Sequence, residues 1–361
     1  MIPFLLLLIL LAYPAQTFLS RNRLRAVEAD LRPEMTVAEP DQIFYLRITL
    51  KNNSRRFLPF LKCSLDLPQE LEVPDPAHCT SGRNGCTYSR TTWLRPYQQT
   101  EYRIPMKISR RGRYVFRPLH LQSGDFLGLR EEERRLDIFR EIVIAPAPAP
   151  AQQTEDALHG FLGEVSVRRF MYEDPILSAG FREYTGQEPM RKISWTQTAR
   201  GHGIMVKNDD YTAEPTAAVI LNADTHGMDL TEELETCFSL TRSVCRELEL
   251  RRIPYELYTN STPAGGWFDL DDHGILKGSG DVHFSRVLEL LGRATDTVSF
   301  SDRILIERLA RRRQTCACLL ITTAYGMPDE ESLRLLETLS DGRTLILTPP
   351  VKLSSEAESC S

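Results

Sequence analysis

The sequence has no G-x-x-x-x-G-K-[ST] loop, no G-x-S-x-G elbow, and no repeated C-x-x-C pair with a His-x-x-x-His partner. These absences remove the phosphate cradle, the strand-to-helix serine nucleophile and the tetrahedral zinc site. Basic charge is also not in excess. The 44 Lys and Arg stand against 49 Asp and Glu, leaving a formal net charge of −5 that argues against bulk nucleic-acid binding. The eight cysteines are scattered. Cys316 and Cys318 alternate along an apolar run and are expected to be small core residues. Cys79 and Cys86 close a short disulfide only if that face is exported. The N-x-S and N-S-T triplets at Asn52 and Asn260 carry no meaning in a cytoplasmic domain, and Gly278–Asp281 (GSGD), expected to have no strand before it and no helix after it, is taken for a loop and not a dinucleotide turn.

What is present begins with an apolar run at residues 2–19, close to the ~20 residues a membrane-spanning helix needs. No lysine or arginine precedes it, and Arg21, Arg23 and Arg25 follow at once. The positive-inside rule then expects a membrane anchor at 1–20 with the bulk of the chain cytoplasmic. Residues 21–145 hold short alternating runs such as FYLRITLKN, separated by Pro, Gly, Asn and Asp, the pattern of a small β-sandwich. The Pro–Ala alternation at 145–153 marks a spacer, so 146–179 is a linker. Residues 180–214 form a dense Arg, aromatic and Gly segment. From 215 to 352 apolar strands alternate with amphipathic helices, which predicts an α/β domain with a parallel sheet; 353–361 is a tail.

The segment Gly180–Arg200 places Arg182, Tyr184, Glu188, Arg191, Ile193, Trp195, Ala199 and Arg200 at fixed offsets. That spacing resembles the signature of the domain of unknown function 58 family, with Gly186, Gln187 and Glu188 where the family has Pro-Gly-Asp. The R-G-x-Y strand at Arg111–Tyr114 and the turn at Asp125, Phe126, Gly128 and Leu129 extend the resemblance. It implies an α/β plus all-β chain whose last domain is von Willebrand A-like (Rossmann-like). It also implies a MoxR-type AAA+ ATPase as partner, at the membrane, with no nucleic acid involved.

Ligands of open parallel sheets sit at the carboxyl ends of strands. The first such end, Asp224–Asp229, is similar in position to the D-x-S-x-S metal site of von Willebrand A domains. His226 and Met228 stand where that site has hydroxyls, and both are poor ligands for a hard cation. No metal and no cofactor are expected, and His226 has no nucleophile beside it. In the signature, Arg182, Arg191 and Arg200 supply planar donors, with Glu183 and Glu188 as the nearest acceptors. Two readings stay open for it. One is an internal ion-pair and stacking network with Trp195 as its apolar anchor, Ile193 and Trp195 sharing one face of a strand. The other is a docking surface for a partner protein. The function expected is a non-enzymatic, membrane-anchored interaction or scaffold protein. The alternative is a metal-dependent or acid–base enzyme with its site at the strand ends of the α/β domain.

Overall fold

The computed structural model describes residues 24–74, 78–82, 85–124, 131–150, 158, 161, 181–184, 195–200, 203–207, 216–265, 274–311, 316–340 and 343–349. The chain divides into two compact units. The first comprises Met1–Ala147, Pro263–Gly266 and Leu288–Ala294, and the second the remainder.

The described residues up to Ala147 form twelve strands: β1 (Val27–Pro33), β2 (Val37–Ala38), β3 (Phe44–Asn52), β4 (Leu58–Leu67), β5 (Leu71–Glu72), β6 (Cys79–Gly82), β7 (Gly85–Leu94), β8 (Gln99–Ile108), β9 (Gly112–Phe116), β10 (Leu119–Gly124), β11 (Glu131–Leu136) and β12 (Arg140–Ile144). They form sheets in the orders β1-β3-β8-β5, β11-β10-β4-β7-β6 and β2-β12-β9. Strict alternation decides which side of each strand is core. In β3, Phe44, Leu46, Ile48 and Leu50 point inward and meet Leu58, Leu61, Cys63 and Leu65 of β4 in one cluster. The β6–β7 register sets Cys79 opposite Tyr88 and Cys86 opposite Ser81, so the two cysteines are not cross-strand partners.

Also within the first unit lies a part-buried ion-pair group. Glu141 on β12 accepts from Arg113 Nε at 2.7 Å and from Arg293 Nη2 at 2.6 Å, and Arg293 also reaches Glu289 at 3.0 Å. Arg111 Nη1 donates to the carbonyls of Leu291 (2.8 Å) and Ala294 (2.6 Å). A side chain on Gly265 would collide with the Arg113 guanidinium, which a Cβ would approach to 2.3 Å.

The second unit contains β13 (Phe181–Glu183), the helical turn α1 (Trp195–Thr198), β14 (Met205–Lys207), β15 (Ala217–Asn222), α2 (Thr231–Leu250), β16 (Tyr255–Thr259), β17 (Ser261–Pro263), β18 (Gly274–Gly278), α3 (Asp281–Arg293), β19 (Ala294–Val298), α4 (Asp302–Arg311), β20 (Ala317–Thr322), α5 (Glu330–Ser340) and β21 (Thr344–Leu347). The ends of β17, α3 and β19 belong to the first unit. All six residues of β15 and of β20 are buried, as strands covered on both faces require. Ala218, Ile220, Cys318 and Leu320 pack with Leu305, Ile306 and Leu309 of α4 and Leu336 of α5. Helix α2 buries Leu234, Phe238, Thr241, Cys245 and Leu248 at helical spacing. Its end is a Schellman-type stop: Arg252 takes φ +56 and Ile253 N–H donates to Leu248 O at 2.9 Å.

The structure corrects the fold expected from sequence. Among the described residues strand outweighs helix, 44% to 26%. The five-stranded sheet of the second unit, ordered β18-β16-β15-β20-β21, is mixed and not a clear von Willebrand A parallel core. Four of its strands are parallel, but β18 runs antiparallel to β16. No described helix crosses over between those two strands, and without a crossover the chain can only double back. The expected membrane anchor is corrected too. None of the described helices is long and apolar enough to cross a membrane, and α2, the longest, is amphipathic. The run at 2–19 lies outside the described residues. The placement as a membrane-anchored chain with a cytoplasmic bulk loses its support with it.

Burial alone would raise the Glu141 carboxyl pKa, but hydrogen bonds from Arg293 and Arg113 hold it below its ordinary value of 4.5. A depressed carboxylate stabilises the fold at pH above that ordinary value and loses its contribution as pH falls through the lower folded value. Urea unfolding between pH 7 and pH 3 is therefore expected to show an acid-limb loss that Glu141→Gln flattens. The substitution should cost about 1.5–3 kcal/mol at pH 7, the range for hydrogen bonds to charged groups. An unchanged acid limb in the variant would contradict the assignment.

Candidate functional site

The signature segment forms a ribbon. β13 pairs antiparallel with β14, setting Arg182 opposite Val206, and Tyr184 N–H continues the ladder to Ile204 O at 2.8 Å. Between the strands Trp195 opens the turn α1, whose Thr198 Oγ1 accepts the Met205 N–H at 3.1 Å. Trp195 is 61% exposed and Ile204 45%. Arg200 is exposed and Tyr184 half-buried. The expectation of Trp195 as a buried anchor on a strand is thus replaced by an exposed ring on a helical turn. Glu188, Arg191 and Ile193 lie outside the described residues.

The other sequence candidate is the carboxyl edge of the mixed sheet. β15 is followed by its neighbour β16 on one side, and β20 lies on the other, so the order reverses between β15 and β20. Ligand crevices of open sheets form at such points. Here the space is occupied. Asn222 Nδ2 donates to Gly326 O at 2.7 Å, and Asn260 Nδ2 donates to Asn222 Oδ1 at 2.6 Å. Asn260 Oδ1 accepts the Ala223 N–H at 2.8 Å. Thr322 Oγ1 donates to Gly326 O at 2.9 Å, and Gly326 N–H donates to Thr323 Oγ1 at 3.1 Å. A Cβ on Gly326 would stand 2.4 Å from Asp224 O, so the loop after β20 lies directly on the loop after β15. Asn222, Asn260, Thr322 and Thr323 are all buried.

Asp224 is engaged as a turn former: its Oδ1 accepts the His226 N–H at 2.8 Å, and His226 Nδ1 lies 3.6 Å away. His226 and Gly227 take φ +50 and +79, and Met228 N–H closes on Thr225 O at 3.1 Å, the pattern of a type I′ turn. Met228 is 47% exposed. Asp229 Oδ1 accepts from the Thr231 hydroxyl at 2.8 Å. Among the described residues no group of three or more His, Cys, Asp or Glu is placed to hold a metal ion.

Sequence reasoning missed Asn222 and saw Asn260 only in its N-S-T triplet, because nothing local marks the distant partners of an amide at a strand end. It also misjudged the Gly278–Asp281 loop, which does lie between strand β18 and helix α3. There the Gly280 N–H donates to Glu249 Oε2 at 2.6 Å, so a carboxylate of the chain holds the donor a phosphate would use.

Compared with known proteins, the chain matches no family model and no curated relative. Solved structures show short, weak likenesses. The alkylpurine DNA glycosylase AlkC of Pseudomonas fluorescens matches at 14% identity and a TM-score of 0.21, over 33% of this chain and 30% of that one. AvmM, which catalyses macrocyclization in alchivemycin A biosynthesis, matches at 10% and 0.23, over 35% of this chain and 92% of its own. A cohesin module of a Clostridium perfringens family 33 glycoside hydrolase matches at 9% and 0.24, over 33% and 96%. The TM-scores are too low for these likenesses to carry any argument about fold or function.

The strand-end network predicts two stability effects. Asn222→Ala leaves the buried Asn260 amide short of an acceptor and should cost about 1–3 kcal/mol per orphaned group. Gly326→Ala forces the two loops apart and should lower the melting temperature further than an exposed-site control such as Lys51→Ala. Thermal melts of the three variants check this; a Gly326→Ala protein melting with the control would show that the loops are not in contact.

Proposed function

We propose that the chain is a non-enzymatic docking module of the domain of unknown function 58 type, with a MoxR-type AAA+ ATPase as its partner. The observation that carries this reading is Trp195. Its ring is held 61% exposed on an element of defined backbone, instead of being buried as an anchor. Interface hot spots are enriched in Trp, Tyr and Arg, and the ribbon brings Trp195, Ile204 and Arg200 to its surface. The family and the partner rest on the resemblance of Gly180–Arg200. Support also comes from the strand-end crevice, where the enzyme alternative would need open space and finds packed amides.

A side chain that touches little contributes little to folding, so Trp195→Ala should change stability by no more than about 0.5 kcal/mol. At the centre of a docking face the same change should cost about 2 kcal/mol or more in binding. Melts of the full chain, paired with titration against a purified MoxR-type AAA+ ATPase, separate the two quantities. Parent-like melting with weakened capture is expected. A large drop in melting temperature, or capture that survives both Trp195→Ala and Arg200→Glu, would remove the ribbon as the docking face.

A further inference from the structure

On the first unit, the loop between β3 and β4 and the loop between β7 and β8 are knitted together by one buried side chain. Asn52 donates from Nδ2 to the carbonyls of Arg56 (2.8 Å) and Arg95 (3.0 Å), and its Oδ1 accepts the Ser54 N–H (3.0 Å) and hydroxyl (2.7 Å). Backbone bonds from Asn52 N–H to Gln98 O (2.9 Å) and from Tyr97 N–H to Ser54 O (3.3 Å) complete the tie. Tyr97 sits at φ +56, which a bulky residue keeps only where its surroundings enforce it. The two loops therefore form a fixed platform.

That platform is aromatic and basic. Trp93 is 48% exposed, Tyr97 62%, Phe57 39% and Phe60 39%. Guanidinium groups lie among the rings: Arg95 is 5.4 Å above the Trp93 ring, and Arg55 Nε donates to the Tyr97 hydroxyl at 3.3 Å. Segments 51–62 and 86–98 contain Lys51, Arg55, Arg56, Lys62, Arg90 and Arg95 and no acidic residue, in a chain whose net charge is −5. The local sign is the reverse of the whole.

We propose that this platform docks an acidic segment of a partner protein, with carboxylates in the arginine forks and an apolar side chain among the rings. Charge complementarity requires an anionic occupant, and the planar donors of arginine match carboxylates two bonds at a time. The aromatic-and-arginine make-up is that of protein interface cores. A nucleic-acid strand fits less well. Stacking needs an open ring face, and Trp93 is flanked by Phe57, at 6.1 Å between centroids, and by Arg95. The proposal concerns a different unit from the ribbon and does not depend on it.

The test pans a display library of short random peptides on the immobilised full-length chain, then measures the selected peptides by fluorescence anisotropy. Selected sequences should be rich in Asp and Glu around an apolar residue. Their affinity should fall at least tenfold with Arg95→Glu, drop with Trp93→Ala and weaken steeply with salt. Arg303→Glu on helix α4 should leave it unchanged. The Arg95 and Trp93 side chains are exposed, so both variants should melt like the parent. Neutral or basic selected peptides, binding indifferent to Arg95→Glu, or an oligothymidylate that binds as tightly and competes would each overturn the proposal.

Discussion

The amide–amide contact between Asn222 and Asn260 governs what the second unit can offer a ligand. At 2.6 Å, in a fully buried place, it joins the ends of two parallel strands, and the same Asn222 holds the carbonyl of Gly326 from the loop after β20. Buried amides of this kind are costly unless every donor and acceptor is met, and here each asparagine has partners on both oxygen and nitrogen. The consequence reaches past stability. The place where an open sheet most readily forms a ligand crevice is filled by the chain's own polar groups, and the Asp224 carboxylate is spent on its turn.

Away from that edge, the described surface carries exposed rings on fixed supports. Trp195 and Ile204 stand out from the ribbon of the second unit, and Trp93 and Tyr97 from the first. Both sets sit on backbone held by specific bonds, Thr198 to Met205 in one and Asn52 to Arg56 and Arg95 in the other. Preorganised side chains lose little conformational entropy on binding, which is why exposed rings on fixed supports make efficient contacts.

Some of this was legible in the residues. The run at 216–224 is nearly all apolar, so its burial could be anticipated. Other features were not. Strand β18 is a five-residue piece bounded by Gly274 and Gly278, too short for periodicity to register, and its antiparallel pairing makes the sheet mixed. Ile193 and Trp195 alternate with polar residues as a strand would, yet Trp195 starts a helical turn fixed by a bond to Met205, seven residues beyond Thr198. Asn52 and Asn260 resemble glycosylation acceptors in their triplets. Both are 0% exposed and serve as ties between loops, a role set entirely by distant partners. Composition alone pointed to a membrane helix at 2–19; that run lies outside the described residues, and no described helix has that character.

Hydrogen–deuterium exchange of the full-length chain, with and without a MoxR-type AAA+ ATPase, tests most directly the claim that the protein works through exposed surfaces and not through its strand ends. Amides of residues 222–228 and 322–327 should be slow to exchange in the free chain, apart from the tip at His226 and Gly227, and should not change on binding. Protection should instead appear across 181–184 and 195–207. New protection confined to 222–228 and 322–327, with the ribbon unaffected, would contradict the account.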